Sequence, residues 1–485
     1  MNFIFVLIDT LRYDFLGFNG NKWIKTPNFD SVAEKGVVFD QHYIGSYPCM
    51  PARREIWTGK QEFLTRGWGP LKDNDIILPQ ILKNNGYITS IITDHFHFWE
   101  KGSGNYLFDF DDVEMIRGEE TDNVLSFRNE KVKYLGEKDR MAQHKLPWHY
   151  EKWSRNVSGF KKEEDWFAAK AFSTAANWLD KNHDHKFFLM FDLFEAHEPF
   201  YPPYPFSRMY DPGYQGDEFV WPTYGYNNMS DEELNHVKLL YAGEITFVDK
   251  WFGRILEKMD ELDLWKDTTL IITTDHGFMF GEHGIVGKPH AALSDSNLYR
   301  ELNHIPLIIK MPDAVPRREN KQVTQTVDIF PTILDLAGIK NEFNTDGESL
   351  RGYLEGRSRP HESLVVFGRF AETIGITDGN YVMYVWPKNK QVPCYWYGNE
   401  PPKFLSDYYN VVGEPELANG ELRYKIELKD YKDQVNALYD VKGDPHERVN
   451  LFGRNKELTE KMLSMLHDKL KSMGCPEEVF RRYEI

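Results

Sequence analysis

Cysteine is scarce in this sequence, and its scarcity limits how the protein can be stabilised. The 485-residue chain contains Cys49, Cys394 and Cys475, which are too few and too scattered for a disulfide framework or a zinc ribbon. No run approaches the roughly 20 consecutive apolar residues that a membrane helix needs. Residues 1–9 lack the basic segment that begins a signal peptide. We therefore expect a cytoplasmic globular protein that does not enter a membrane.

Basic residues are also in deficit. The chain has 58 lysines and arginines against 75 aspartates and glutamates, a formal net charge of −17. Long-range repulsion would slow the approach of nucleic acids and heparin-like polyanions, so we do not expect nucleic acid as a partner. A small anion can still bind where its own pocket is basic. The length of the chain favours two domains.

Short, continuously apolar runs recur along the first 360 residues, and such runs are typical of buried parallel strands. We predict strands over residues 3–8, 86–93, 187–194, 268–274 and 305–310. Helical periodicity predicts helices over residues 27–36, 166–182, 231–262 and 327–338. This alternation predicts an α/β fold with a large mixed, mostly parallel sheet sandwiched by helices.

Two regions differ from this pattern. Residues 99–160 are polar, aromatic and irregular, and we interpret them as an insertion over the edge of the sheet. After residue 360 the pattern predicts a short antiparallel sheet and a helix, over residues 364–370, 374–378, 380–386 and 456–473. We therefore predict a catalytic α/β domain over 1–360 and a smaller C-terminal α+β domain over 361–485.

Ionisable residues follow two of the predicted strands. Asp9 ends the first strand, and Asp275 with His276 ends another. Ligands of open α/β sheets bind beyond the carboxyl ends of the strands. These three side chains together could share one divalent cation, although an aspartate in such a position is often only a helix cap.

Residues 49–53, Cys-Met-Pro-Ala-Arg, are the most specific signal in the chain. Pro51 suits the first turn of a helix, which places Cys49 at a helix N-terminus where backbone N–H groups favour an anion. Arg53, one turn later, can point back to the same place. On these residues alone, a buried structural cysteine beside a surface arginine is an equal alternative.

The segment resembles the Cys-x-Pro-x-Arg signature of the formylglycine-dependent sulfatases, in the alkaline phosphatase superfamily branch that also contains phosphonate monoester hydrolases. Other segments resemble the same family in the same order along nearly the whole chain: 8–12, 26–30, 36–39, 196–199, 241–245, 274–277, 281–284, 327–332, 346–350 and 438–440.

The resemblance implies a mechanism. In such enzymes a maturation enzyme oxidises the signature cysteine to formylglycine, and its hydrate attacks sulfur and later expels sulfate. The implied ligands of one divalent metal ion are Asp9, the modified Cys49, Asp275 and His276. Arg53 would hold the formylglycine hydroxyl. Lys288 and His197 would contact the sulfate, with His197 also a candidate general acid; the alternatives are a surface lysine and a packed histidine.

Two departures from the family affect metal and substrate. Asp9 is followed by Thr10 where many sulfatases have a second aspartate, which favours Mn²⁺ while leaving Ca²⁺ open. Asp94 stands where the family has a lysine, and either His95 or His97 keeps the adjoining histidine. Asp94 would repel a sulfate unless it binds a cationic or hydroxylated part of the substrate.

These observations predict a sulfuric ester hydrolase for a small anionic ester, with a sulfated sugar as one candidate. The runner-up is a phosphonate monoester or phosphodiester hydrolase on the same scaffold, followed by a degenerate binding protein. The maturation enzyme is an implied partner, and a homo-oligomer is left open.

Overall fold

An eight-stranded sheet forms the centre of the protein, in a computed structural model that describes residues 1–100, 103–124, 147–288, 296–357, 364–402, 409–418, 420–428 and 434–485. Its strands lie in the order Arg317–Glu319, Val37–Phe39, Leu307–Lys310, Thr268–Thr273, Asn2–Ile8, Phe187–Leu193, Ile88–Thr93 and Asp112–Met115. Seven of them share one direction, and Leu307–Lys310 runs against its neighbours. The predicted mixed, mostly parallel sheet is confirmed.

Helices cover both faces of this sheet. The helices in the described part of the chain are Pro27–Lys35, Cys49–Thr58, Leu78–Asn84, Pro147–Val157, Phe167–Asn182, Asp231–Glu261, Arg300–Asn303, Ile329–Leu336, Arg351–Leu354, Lys456–Ser472 and Glu477–Tyr483. Alternate residues of the central strand Asn2–Ile8 point to opposite faces. One set packs with Phe167–Asn182 and Asp231–Glu261, and the other with Leu78–Asn84 and Ile329–Leu336.

The predicted strand over 305–310 is divided in the structure. His304–Ile305 pairs with His42–Tyr43, whereas Leu307–Lys310 is antiparallel to Thr268–Thr273 in the main sheet. Pro306 lies between the two pieces and has no N–H to donate to either ladder, which explains the division.

The predicted irregular insertion over 99–160 is partly wrong. Its described residues include the edge strand Asp112–Met115, which pairs in parallel with Ile88–Thr93, and the helix Pro147–Val157. The strand is only partly buried, so its sequence lacks the apolar run that marks the central strands. Residues 101–102 and 125–146 of the predicted insertion lie outside the described residues.

A second sheet is largely antiparallel, as predicted. Its order is Ala437–Asp440, Tyr381–Val385, Ile374–Thr377, Val365–Arg369 and Ser46–Tyr47. The last strand was not predicted: Ser46 and Tyr47 pair in parallel with Gly368 and Arg369. The chain just before Cys49 is therefore held by the C-terminal sheet, and the boundary at residue 360 stays a prediction.

In the described part of the chain, the remaining strands form three small sheets: Met279–Phe280 with Ile285–Gly287 and Gly225–Tyr226; His304–Ile305 with His42–Tyr43 and Thr324–Gln325; and Cys394–Tyr397 with Glu421–Leu428, Tyr409–Val411 and Glu416–Ala418. Among the described residues, no helix combines the length and apolar character needed to cross a membrane.

Candidate active site

The ends of two adjacent parallel strands bring three ionisable side chains together. Asp9 follows Asn2–Ile8, and Asp275 and His276 follow Thr268–Thr273; the two strands pair up to Leu7 opposite Thr273. All three side chains are fully buried. One ligand atom from each of them and the Cys49 sulfur lie within 4.8 Å of one another.

Cys49 begins the helix Cys49–Thr58, with Pro51 in its first turn, as the sequence predicts. Its Sγ lies 3.2 Å from His276 Nε2. On the opposite side of that ring, Nδ1 lies 2.9 Å from the carbonyl oxygen of Gly277. Because a carbonyl only accepts, Nδ1 carries the proton and Nε2 presents a lone pair towards Cys49, the form in which imidazole binds a metal.

Arg53 is a buried residue and not a surface arginine. Its guanidinium contacts three fully buried carboxylates: Asp192 at 2.6 Å, Asp275 at 2.7 Å and Asp9 at 3.1 Å. Burial favours the neutral form of Asp9, but Arg53 and His95 outweigh it and hold the pKa of that carboxyl well below its usual value. One arginine thus faces three acids in a place without solvent.

A divalent metal ion fits this set of residues. Two of the three carboxylates, an imidazole nitrogen and Cys49 offer ligand atoms around one point, and the excess of buried negative charge needs a further cation to offset it. Oxygen ligands suit both Mn²⁺ and Ca²⁺, and the imidazole nitrogen favours Mn²⁺.

Lys288 and His197 lie together beside this cluster. The Lys288 ammonium contacts His197 Nε2 and lies 3.4 Å from Glu198 Oε1. Lys288 is 5% exposed, so it is not a surface lysine. Burial disfavours its charge, but Glu198 and other acids outweigh burial and raise the pKa of Lys288 above its usual value. Burial and Lys288 lower the pKa of His197 well below its usual value.

Asp94, His95 and His97 occupy three different environments. Asp94 is fully buried, and its Oδ1 accepts a hydrogen bond from the Phe194 N–H at 2.6 Å. Burial raises the pKa of Asp94 to about 7. His95 Nε2 lies 3.1 Å from Asp9 Oδ2 and so supports a metal ligand. His97 lies 3.1 Å from Glu100 and 4.0 Å from Glu120.

The position of Asp94 speaks against the predicted substrate contact. Its side chain is turned to the backbone after a neighbouring strand, and its acidic neighbours are themselves buried.

A family model for sulfatases matches residues 1–339. The chain belongs to the sulfatase family. A sulfatase of Formosa agariphila is 23% identical over 490 residues, covering 91% of this chain and 88% of the relative. An N-acetylglucosamine-6-O-sulfatase of Bacteroides thetaiotaomicron is 24% identical over 506 residues, covering 93% and 83%.

Among solved structures, a phosphonate monoester hydrolase of Agrobacterium radiobacter has a TM-score of 0.65 at 19% identity, covering 97% of this chain and 96% of that one. The predicted family, fold and enzyme class, a sulfuric ester hydrolase, are confirmed.

The sequence analysis did not predict three acidic residues that lie near the site of this sulfatase. Asp192 carries a recognisable signal, because it is a charged residue inside the apolar strand Phe187–Leu193. Glu198 directly follows the predicted His197 and is fully buried against Lys288. Glu120 lies 3.8 Å from His197, and it comes from the irregular region where no periodic pattern marks a buried residue.

Proposed function

We propose that this protein hydrolyses a sulfate ester, with Cys49 converted to formylglycine and one divalent metal ion held by Asp9, Cys49, Asp275 and His276. The observation that carries the proposal is the convergence of these four ligand atoms within 4.8 Å, next to a buried lysine. A metal ion bound there would lower the pKa of a coordinated hydroxyl and neutralise the charge of the ester.

Arg53 and His95 orient the ligands. The guanidinium joins Asp9 to Asp275, and its Nη1 donates to the carbonyl oxygen of Cys49 at 3.1 Å, which fixes the first turn of the helix. His95 Nε2 lies 3.1 Å from Oδ2 of Asp9, the same oxygen that Arg53 contacts. A rigid ligand set costs less reorganisation when an anionic ester arrives.

Lys288 supplies the fixed positive charge for the non-bridging oxygens of the ester. It is buried between His197 and Glu198, so water screens its charge little. His197 is neutral at pH 7 because its pKa is lowered, and its Nε2 accepts from Lys288. The proton between these two groups therefore stays on Lys288, and we assign an orienting role to His197.

The substrate we propose is a small anionic ester, and a sulfated sugar is the first candidate because a relative is named as an N-acetylglucosamine-6-O-sulfatase. Phosphonate monoesters and phosphodiesters are the alternative substrates, because a phosphonate monoester hydrolase has a similar fold. A cytoplasmic location and a separate maturation enzyme are part of the same proposal.

The test combines mass and activity. Protein produced with a formylglycine-generating enzyme is digested, and the peptide containing Cys49 is expected to show the mass of an aldehyde in place of a thiol. The purified enzyme is then assayed on an aryl sulfate, a sugar sulfate, a phosphodiester and a phosphonate monoester. Sulfate esters are expected to give the highest kcat/KM.

Two alanine variants separate the modified residue from any other cysteine. Cys49→Ala should abolish turnover and keep the fold. Cys394→Ala removes another buried cysteine, in the strand Cys394–Tyr397, and should retain activity. Full activity in Cys49→Ala would contradict the proposed nucleophile, and a higher kcat/KM for phosphonates would favour the alternative.

A further inference from the structure

One carboxylate that the reaction does not use faces the ester-binding side chains. Glu120 Oε1 lies 3.8 Å from Nδ1 of His197, and Oε2 lies 4.0 Å from Nε2 of His97. The Glu120 backbone has a φ of 38°, in the left-handed region that costs energy for a residue with a side chain. The backbone of Glu120 is therefore strained in the conformation that directs its side chain towards His197.

Burial raises the pKa of Glu120 to about 7, and the carboxylate form has a charge opposite to what a sulfate ester requires. It contributes to the electrostatic field at Lys288, the residue assigned to the ester oxygens. A partly desolvated carboxylate beside a bound anion is unfavourable unless a hydrogen-bond donor lies between them. Among the described side chains, the nearest ring nitrogens, on His97 and His197, lie beyond hydrogen-bonding distance from it.

Glu120 can be reached from solvent, whereas Asp94 cannot. The side chains of Glu120 and His97 each keep 13% exposure, while Asp94 is fully buried. Trp68 packs edge-on against the His97 ring at 4.8 Å between centroids and limits its movement. Glu120 is thus placed to meet a substrate group next to the ester.

We propose that Glu120 binds a hydrogen-bond donor, a hydroxyl or an ammonium group, on the carbon adjacent to the ester-bearing carbon of the substrate. This inference rests on the proposed sulfate ester hydrolysis. It gives the substrate class as sulfate esters with a neighbouring donor group, and it makes Glu120 a residue that selects the substrate.

The experiment uses three probes with the same ring: cyclohexyl sulfate, its 2-hydroxy derivative and its 2-amino derivative. We measure kcat/KM for matured wild-type enzyme, Glu120→Gln and Glu100→Gln. We expect the wild type to prefer one donor-bearing probe over cyclohexyl sulfate by about 10- to 100-fold, the scale of a hydrogen bond to a charged group. Glu120→Gln should lose most of this preference.

Glu100→Gln is the matched control. Glu100 lies 3.1 Å from His97 on the side away from Glu120's contact, so this variant removes a nearby charge without removing the proposed acceptor. It should keep the preference. The proposal is overturned if Glu100→Gln loses the preference equally, if Glu120→Gln lowers all three rates by one factor, or if the wild type shows no preference. The stronger preference, for the hydroxyl or the ammonium, identifies the donor.

Binding measurements separate this inference from the proposed reaction. Calorimetric affinities of the same probes for Cys49→Ala, with and without Glu120→Gln, report the preference without turnover. If wild type hydrolyses no sulfate ester but the Glu120-dependent preference in affinity remains, the proposed reaction fails and the donor site stands. If the preference is lost while hydrolysis is intact, the donor site fails and the proposed reaction stands.

Metal content provides the last control. One ligand atom each of His97, Glu120 and His197 lie within 4.8 Å of one another, a spacing that a metal ion could also use. Wild type and Glu120→Gln should bind the same number of Mn²⁺ ions per chain. A second ion that is lost in Glu120→Gln would show that these residues form a metal site, and it would overturn the proposal.

Discussion

Replacing Lys288 by methionine removes one buried positive charge and keeps a similar side-chain length. Lys288 is 5% exposed and contacts His197 and Glu198, so its charge acts in a region from which water is largely excluded. Loss of one preorganised electrostatic donor in such a site costs about 10²–10³ in kcat, or about 2.7–4 kcal/mol. We expect Lys288→Met to lower kcat/KM for an aryl sulfate by this factor.

The fold should survive this substitution. Burial raises the pKa of Glu198 to about 8 even beside Lys288, so this carboxyl is mostly neutral at pH 7, and removal of the lysine leaves no isolated buried charge. The thermal midpoint should therefore change little. The matched control is Lys60→Met, which removes a lysine that lies 3.4 Å from Asp346 and is one-third exposed.

The assay is initial-rate hydrolysis of an aryl sulfate with metal content and thermal midpoint measured on the same samples. A loss of kcat/KM below about threefold, with full metal content, would refute the assignment of Lys288 as the main charge on the ester oxygens. A large loss of kcat/KM accompanied by unfolding would show that Lys288 stabilises the fold and would give no support for a role in the reaction.

Three further predictions concern the surrounding residues. Asp275→Asn should lower both the bound metal, measured by elemental analysis, and the rate of hydrolysis. Reconstitution of metal-stripped wild type with Mn²⁺ or Ca²⁺ identifies the active ion, and full activity after verified metal removal would contradict the ligand assignment. Arg53→Lys should lower kcat/KM by about 10- to 100-fold, because a lysine cannot join three carboxylates in a fixed plane; an unchanged rate would contradict it. Burial raises the pKa of Asp94 from 3.8 to about 7, so the protonated folded state should lose stability as pH rises from about 4 to 7; Asp94→Asn should reduce this loss in urea unfolding, and an identical slope would refute it.

The sequence predicts the parts of the fold that depend on local pattern. Apolar runs that end in Asp9 and Asp275 identify central strands and also the edge at which ligands bind, because parallel strands end together. The pairing of Ser46 with Gly368 leaves no such pattern, since a two-residue strand is too short to show alternation. The direction of Leu307–Lys310 is likewise a property of the assembled sheet.

The candidate site shows the same division. The Cys49 helix and the neighbourhood of Arg53 follow from a short motif whose geometry is local. The orientation of Asp94 does not, because it depends on a hydrogen bond to Phe194, a residue in another part of the chain. Glu120 comes from a region of mixed polarity, where its nearness to His197 is set only by the folded chain. The cellular location stays a prediction.

The strand before Cys49 has a consequence for the order of events during synthesis. Ser46 and Tyr47 are paired with Gly368 and Arg369, far downstream, and Cys49 is 3% exposed once that pairing exists. A separate enzyme can act on the Cys49 thiol only where this side chain is accessible, and in the folded chain it is buried. If Cys49 is modified, the modification must therefore occur before the C-terminal sheet is complete, while the ribosome is still producing the chain or directly afterwards. Supplying the maturation enzyme to folded protein should then leave the thiol unchanged.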